Sequence, residues 1–370
     1  MASLNGRVLV VNAGSSTLKL SMLDGSDQAL GSETIEAPGG RADEGALARF
    51  VRSHGPVSAV GHRVVHGGTT LTAPVRVDEA VVEQIRELTP LAPLHQPGAL
   101  AGLEAVGRAL PEVPAVACFD TAFHASVPAA AATYAVPLEW RQKWGLRRYG
   151  FHGLNHAYVS RTVGERLAGR AGPRPRVVTC HLGAGASLAA VAGGRCVDTT
   201  MGFTPLEGLV MATRSGTVDP GMVLWLAQQG GLSPAEISAG LERGGGLLGL
   251  AGTADMREVL EREAAGDERA ALAMGVYLHR LRASVAAMAC SLGGLDALAF
   301  TGGIGEHSGP VRQRVVDGLG FLGASIDPSA NTAAGPLAEV SPPGAAVACF
   351  VVAAREDLEI ARGVRQVLGL

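Results

Sequence analysis

The sequence has few cysteines, and they form no recognisable pattern. Among its 370 residues there are five, scattered along the chain and without a CxxC pair: Cys118, Cys180, Cys196, Cys290 and Cys349. An odd number of dispersed cysteines argues against a disulfide framework and against a zinc site. We therefore expect reduced thiols and a cytoplasmic protein.

The chain also lacks an excess of charge and a targeting segment. Its formal net charge is -3 and 18% of its residues are charged, so nothing in the overall charge indicates binding to nucleic acid or to an anionic membrane. The start, MASLNGRVLVV, has no basic segment followed by a long apolar one, so no signal peptide is predicted. The longest uncharged run, VVTCHLGAGASLAAVAGG, has the length of a membrane span, but its glycines and histidine favour strand, turn, strand. The chain length predicts two domains.

The common nucleotide-binding signatures are missing or out of context. No GxxxxGK[ST] segment occurs. A GxGxxG match runs from Gly244 to Gly249, but it follows no convincing strand and opens no βαβ unit, so we interpret it as a loop. These features disfavour a nicotinamide-binding domain.

Apolar segments and helical patterns are interleaved along the chain. The segments predicted as strands are RVLVVNAG, STLKLSML, AVGHRVVHGG, AVACFDTAF, RVVTCHL, ASLAAVAGG, ALAFTGG and AAVACFVVAA. Helices are predicted for DEAVVEQIREL, LNHAYVSRTVGERLA, DERAALAMGVYLHRLRASVAAMACSL and REDLEIARGVRQVL, the first of them beginning at an acidic pair. This mixture predicts α/β layers.

Two segments repeat one pattern about half a chain apart. VVNAGSSTLKLSML and TCHLGAGASLAAVA are each an apolar strand, a turn of small residues and a second apolar strand. The repetition suggests two related lobes that face each other across a cleft. The alternative is that several such hairpins occur in any α/β protein.

The first of these turns has the composition of an anion site. It contains Asn12, Gly14, Ser15 and Ser16, with Lys19 just beyond. Backbone N–H groups converge on an anion where no Cβ obstructs the approach, and hydroxyl groups add donors. Several Gly-rich hairpins in one chain fit a nucleotide held between two lobes.

Ten motifs occur in an order and at a spacing that resemble the acetate kinases, over about residues 8 to 362. They are NAGSSTLKL, GHRVVHGG, APLHQPG, FDTAFH, RRYGFHG, HLGAGASL, DTTMGFTPLEGL, TRSGTVDPG, FTGGIGEHS and REDLEIA. The resemblance implies two actin-like (ribonuclease H-like) α/β lobes with a nucleotide cleft between them. It also implies reversible, direct in-line transfer of the ATP γ-phosphoryl group to acetate, giving acetyl phosphate and ADP, with Mg²⁺ or alternatively Mn²⁺.

The resemblance assigns the chemistry to four residues. An acetate carboxylate is already ionised at neutral pH, so the difficulty is electrostatic repulsion by the γ-phosphate rather than deprotonation. Arg63 matches the arginine that grips the carboxylate, and Arg214 matches the arginine that stabilises the transferring phosphoryl group. His152 matches the transition-state histidine. Asp120 is implied as catalytic, either placing Mg²⁺ or orienting Arg63. The alternative is a purely structural role, as a capping aspartate at the junction of strand and loop.

The remaining site residues follow from the same motifs. Acetate is implied to contact Arg63, His95, Val65, Leu94, Phe151 and Pro205. The nucleotide is implied to contact Ser15, Ser16, Lys19, His181, Leu182, Gly183, Ala184, Gly185, Asp255, Met256, Arg257, Gly303, Ile304, Gly305, Glu306 and His307. Asn12 and Glu356 are the implied Mg²⁺ ligands, and they are expected on opposite lobes. The alternative for Glu356 is that it is only an acidic residue in the first turn of the last helix, where the helix dipole favours a negative charge.

Three positions depart from the usual family residues, namely Ala184 and His307, which both replace asparagine, and Arg355 beside the proposed metal ligand. Arg355 points away from the phosphates in one interpretation and supplies positive charge to them in the other.

The resemblance also implies the bounds of the two lobes. The first lobe is expected to contain residues 1–124 plus 357–370, and the second residues 125–356, with the nucleotide loops and a homodimer interface. Two alternative functions are a propionate or butyrate kinase and a non-catalytic actin-like nucleotide-binding protein.

Overall fold

The computed structural model describes residues 6–14, 17–37 and 44–370. They divide into two compact units. The first contains the described residues up to Ala125 together with Phe151–Tyr158 and Arg355–Leu370, and the second contains Ser126–Gly150 and Val159–Ala354.

The first unit is built on a six-stranded sheet in the order β3-β2-β1-β4-β6-β5. Its strands are β1 (Val8–Ala13), β2 (Thr17–Leu23), β3 (Ala29–Glu36), β4 (Ala59–Val64), β5 (Val75–Arg76) and β6 (Ala115–Phe119). The first three strands form an antiparallel meander, β1, β4 and β6 are parallel, and β5 pairs antiparallel to β6. The helices of this unit are α1 (Glu44–His54), α2 (Glu79–Glu87), α3 (Gln96–Ala109) and α15 (Glu356–Leu368), and α6 (Gly153–Arg166) begins in it.

Helices cover both faces of this sheet because β1 is apolar on both sides. Leu9 and Val11 pack with Phe50 of α1 on one face. Val8 and Val10 pack with Ile360 of α15 on the other. The last helix of the chain therefore belongs to the core of the first unit.

The second unit contains another six-stranded sheet, in the order β11-β12-β10-β7-β8-β9. Its strands are β7 (Arg176–Leu182), β8 (Ala186–Ala192), β9 (Arg195–Thr199), β10 (Ala297–Thr301), β11 (Leu337–Glu339) and β12 (Ala348–Val352). Its helices are α4 (Ala129–Ala132), α5 (Leu138–Trp144), the remainder of α6, α7 (Pro220–Gln228), α8 (Pro234–Arg243), α9 (Gly246–Ala251), α10 (Met256–Ala264), α11 (Glu268–Leu292), α12 (Gly302–His307), α13 (Gly309–Asp317) and α14 (Pro328–Thr332). The long helix α11 packs on β7, β8 and β9.

The two sheets have the same connectivity. In each, an antiparallel meander of three strands is followed by two strands parallel to the first, and a short strand pairs antiparallel at the far edge. The repeated strand-turn-strand pattern of the sequence corresponds to β1–β2 in one sheet and β7–β8 in the other. The α/β class and the duplicated lobes are therefore confirmed, and the long uncharged run is a β-hairpin.

Three expectations from the sequence need correction. Residues 151–158 lie in the first unit, because the Gly153 N–H donates to the Asp120 carbonyl oxygen at 3.0 Å. Glu356 also lies in the first unit, because it begins α15. The Gly-rich segment is not a loop, since α9 begins at Gly246 directly after α8.

No helix in the described ranges is long and apolar enough to cross a membrane.

Candidate active site

The first unit holds a fixed arginine–carboxylate pair at the carboxyl ends of two neighbouring parallel strands. Arg63 lies near the end of β4 and Asp120 directly follows β6. Arg63 donates from Nη2 to Asp120 Oδ2 at 2.7 Å and from Nε to both carboxylate oxygens at 3.2 Å. The Asp120 side chain is only 2% exposed, so this pair is largely withdrawn from solvent. Asp120 thus contacts the guanidinium that it was expected to orient.

The other end of the same guanidinium meets the two residues expected to bind Mg²⁺. Arg63 Nη1 lies 3.4 Å from Asn12 Oδ1 and 3.4 Å from Glu356 Oε2. Burial lowers the pKa of Arg63, but the charges of Asp120 and Glu356 outweigh this effect and raise it overall. Arg63 is therefore a permanent cation. Asn12 and Glu356 lie in the same unit, which corrects the expectation of opposite lobes.

The donor atoms near Arg63 fit a hard divalent cation. Asn12 offers an amide oxygen and Glu356 a carboxylate, the oxygen ligands that Mg²⁺ prefers. Within the described ranges, no three or more His, Cys, Asp or Glu side chains are grouped as a metal site. A magnesium ion held here would therefore take few protein ligands, as Mg²⁺ commonly does.

His152 lies in a strained backbone conformation next to this cluster. Its φ angle is 55°, in the left-handed region that a residue with a Cβ rarely adopts. Backbone strain of this kind is concentrated at functional sites. His95, the other expected histidine, is half-buried at the N-terminus of α3 and makes no side-chain cap.

The four apolar residues implied to contact acetate differ in burial and belong to two units. Phe151 is fully buried and Val65 is half-buried. Leu94, however, is 52% exposed, and Pro205 belongs to the second unit. Leu94 is therefore not a core residue.

A small polar cavity of the first unit brings three expected residues together. It has a volume of about 340 Å³ and is lined by Asn12, Lys19 and Glu356, among others. Asn12 and Lys19 are direct partners across the β1–β2 pair. Ser15 and Ser16, the other expected phosphate donors of this hairpin, lie outside the described residues.

The second unit contains a larger cavity of about 1030 Å³. This is the size of a typical small-molecule site. Half of the sixteen expected nucleotide residues line it, together with Arg214: Gly183, Ala184, Asp255, Met256, Arg257, Gly303, Ile304 and His307. Two of the three departures from the family, Ala184 and His307, therefore lie on this wall.

Four local structures position these residues. The turn between β7 and β8 contributes Gly183 and Ala184, and α12 contributes Gly303, Ile304 and His307. Asp255 caps α10 by accepting from the Arg257 N–H at 2.9 Å, and it also pairs with the Arg257 guanidinium at 2.7 Å. The fourth structure is the loop that carries Arg214.

The Gly-rich segment supports the Arg214 loop. The Gly245 N–H donates to the Thr213 carbonyl at 3.0 Å, and the Leu247 N–H donates to the Met211 carbonyl at 2.9 Å. Gly246 has a φ of 59°, and a Cβ there would lie 2.2 Å from the Met211 oxygen. The glycines thus allow close approach of two backbone segments rather than contact with a dinucleotide.

Arg214 itself is tied to a second loop. Its Nη1 donates to the Pro205 carbonyl at 2.6 Å. Burial lowers the pKa of Arg214, and the Glu242 charge partly opposes this shift. Pro205 therefore contacts the arginine through its backbone.

Some expected nucleotide residues lie elsewhere. His181 and Leu182 belong to β7, which has the bounds predicted for RVVTCHL, and neither residue lines the cavity. The Glu306 carboxylate faces the backbone, where one oxygen accepts from the Gly302 N–H at 2.9 Å and the Ala354 N–H at 3.0 Å. Gly185 and Gly305 are not among the residues that line the cavity.

Several lining residues were not anticipated from the sequence: Ala212, Thr213, Ala254, Leu260, Glu261, Ser308 and Pro310. Ala212 and Thr213 adjoin Arg214. Leu260 follows Met256 by four residues on α10, a spacing that places both on one helix face. These residues could have been predicted from their position next to Arg214 in the sequence or from the helical spacing to Met256.

Arg355, the third departure, forms two hydrogen bonds with the Asp357 carboxylate, both of 2.9 Å. Its charge is therefore compensated by a neighbour on the same helix turn.

By fold, the chain falls among kinases of short carboxylic acids. A propionate kinase from Francisella tularensis superposes with a TM-score of 0.90 and 34% identity, covering 98% of this chain and 100% of that one. An acetate kinase from Porphyromonas gingivalis superposes with a TM-score of 0.89 and 35% identity, covering 98% and 99%.

The sequence comparison is more specific. The model of the Acetokinase family matches residues 42–362. An acetate kinase from Deinococcus radiodurans is 46% identical over 391 residues, which cover 98% of each chain. The chain belongs to the acetokinase family.

Proposed function

We propose that the protein transfers the γ-phosphoryl group of ATP to acetate, reversibly and by direct in-line displacement, giving acetyl phosphate and ADP. The observation that carries the proposal is the Arg63 guanidinium, kept charged by Asp120 and Glu356 and oriented by its hydrogen bonds to Asp120. A fixed planar cation is suited to gripping a small carboxylate, and no general base is needed because that carboxylate is already ionised. The family membership supports the same reaction.

Each of the site residues has a separate role in this proposal. Arg63 offsets the charge of the carboxylate, while Arg214 offsets charge on the equatorial oxygens of the transferring phosphoryl group. His152 donates a hydrogen bond to that group. Asp120 orients Arg63, and the second-unit cavity, with its Asp255 wall, binds the nucleotide.

Mg²⁺ is the proposed metal. Asn12 and Glu356 would hold it, and the bound ion would neutralise part of the phosphate charge. What supports this assignment is that the Asn12 amide and the Glu356 carboxylate, which carry the oxygen ligands that Mg²⁺ prefers, line the same small polar cavity.

The test is acyl phosphate formation, trapped as the hydroxamate, with ATP and acetate, propionate or butyrate. We expect the highest kcat/KM with acetate and large losses in Arg63→Ala and Arg214→Ala. Arg86→Ala, which alters an exposed arginine of the first unit, serves as the control and retains full activity. Absence of acyl phosphate with all three acids would favour a non-catalytic nucleotide-binding protein.

Use of propionate is the second candidate activity. Leu94 is 52% exposed, so this side chain does not by itself limit the length of the acid. One methylene group changes the binding free energy by only about 1–3 kcal/mol in an apolar site. We therefore expect measurable propionate kinase activity and a steeper loss with butyrate.

We also infer a cytoplasmic homodimer that pairs through the second unit. Helix α7 buries none of its side chains, and it exposes Met222, Leu224 and Trp225. A contiguous apolar surface of this kind marks a protein interface. Light scattering is expected to give the mass of a dimer for the wild type and for Trp225→Phe, and of a monomer for Trp225→Glu; a monomeric wild type would contradict the inference.

A further inference from the structure

The three-residue segment around His152 is held by hydrogen bonds on both sides. On the preceding residue, the Phe151 carbonyl oxygen accepts from His124 Nε2 at 2.9 Å. On the following residue, the Gly153 N–H donates to the Asp120 carbonyl at 3.0 Å. A carbonyl oxygen can only accept, so His124 carries its proton on Nε2. All of these residues belong to the first unit.

Between the two hydrogen bonds lies the strained backbone of His152, with its φ of 55°. Such a conformation persists only where the surrounding structure over-determines it. The hydrogen bond at Gly153 is made by the backbone, and it requires glycine because a Cβ there would lie 2.0 Å from the Asp120 carbonyl oxygen. The bond at Phe151 is made by a side chain, and it is therefore accessible to substitution.

His124 is buried. It is 1% exposed and lies in the short helical turn Ala122–Ser126, which begins two residues after Asp120. Its ring packs edge-on against the ring of His156, with centroids 5.7 Å apart. An imidazole in this position acts on the site only through the groups it contacts.

We propose that His124 is a positioning residue, which orients His152 through its hydrogen bond to the Phe151 carbonyl. The proposal rests on the function proposed above, in which His152 contacts the transferring phosphoryl group. The segment FDTAFH then contains two positioning residues, because the Asp120 carboxylate orients Arg63 and His124 orients His152.

The test compares two substitutions of similar size. His124→Met removes the donor, whereas His124→Gln keeps an N–H group near the position of Nε2. We expect His124→Met to lower kcat by about 10-fold or more, because a misplaced catalytic group costs up to about 100-fold. The KM for ATP is expected to stay within about two-fold, and His124→Gln to recover most of kcat. His54→Met is the matched control, since it removes a histidine bond to the Phe50 carbonyl elsewhere in the same unit and should leave kcat unchanged.

A double-mutant cycle separates positioning from a general structural effect. If His124 acts through His152, then His124→Met lowers kcat by less than about two-fold in a His152→Ala background. Multiplicative losses in the double variant would overturn the proposal, as would a normal kcat of His124→Met beside an impaired His152→Ala. A normal kcat of His152→Ala would instead refute the proposed role of His152 itself.

A measurement on the wild-type protein avoids dependence on the folding of the variants. Histidine side-chain NMR reports which ring nitrogen carries the proton. We expect the Nε2–H tautomer for His124, with a proton that exchanges slowly with solvent. A proton on Nδ1 alone would overturn the proposal, because the Phe151 carbonyl would then have no donor from this ring.

Discussion

Replacing Asp120 by asparagine removes the charge that orients Arg63 and preserves the size of the side chain. Breaking a buried ion pair costs about 3–5 kcal/mol, because the remaining charge is left without its partner. Arg63 is 19% exposed and keeps Glu356 at 3.4 Å, so its charge stays partly compensated. We therefore expect the lower end of that range, about 3 kcal/mol.

This loss is large enough to measure by thermal unfolding. With an unfolding entropy of about 2.1 cal/mol/K per residue over the 370 residues, it corresponds to a decrease in Tm of about 4 °C. The guanidinium also loses its two-bond anchor, so the kcat/KM for acetate should fall by about 100-fold. The KM for ATP should change much less, since the nucleotide cavity is lined by residues of the second unit.

Asp296→Asn is the matched control. Asp296 pairs with Arg176 at 2.6 Å in the second unit, but both side chains are partly exposed, at 22% and 39%. An exposed pair contributes about 1 kcal/mol or less. If Asp120→Asn showed the same small change in Tm as Asp296→Asn and kept its rate with acetate, the proposed orientation of Arg63 would be wrong.

Three further predictions concern other parts of the molecule. Ala184→Asn should lower the KM for ATP and leave that for acetate nearly unchanged in initial-rate assays, because it adds an amide donor to the cavity wall. Gly246→Ala should reduce kcat by about 100-fold through displacement of the Arg214 loop, whereas Gly240→Ala, with open space around its Cβ, should not. Burial lowers the pKa values of His66 and His124 to about 4, against about 6.5 in the unfolded chain. The unfolded chain then binds more protons, so the unfolding free energy should decrease from about pH 6.5 to pH 4, by roughly 3 kcal/mol per histidine; urea titrations should show a shallower decrease in His124→Gln.

The strands that were predicted from the sequence are those with strong apolar runs. The segments β1, β7, β8, β10 and β12 are almost entirely buried, and burial on both faces requires such runs. Strand β3 escaped prediction because only one of its eight residues is buried, and β5 because it has two residues. Polar or very short edge strands depend on pairing with a neighbour rather than on their own pattern.

The candidate site shows the same division between local and non-local information. Gly183, Ala184 and Asp255, which the motifs assign to the nucleotide, line one cavity, and each lies at a turn or a helix cap that the local sequence specifies. The direction of the Glu306 side chain was not predictable, since it depends on the Ala354 N–H, 48 residues away. The bond from His124 to Phe151 likewise requires the fold to bring two motifs together.

The sequence alone determined the α/β class, the repeated hairpin and the residue types available for carboxylate and phosphate chemistry, because these depend on composition and on neighbours along the chain. Only the tertiary structure decided that Glu356 joins Asn12 and Arg63 in one unit. The physical reason is that α15 buries its apolar face on the first sheet, and this packing carries a carboxylate from the end of the chain to an arginine near its beginning.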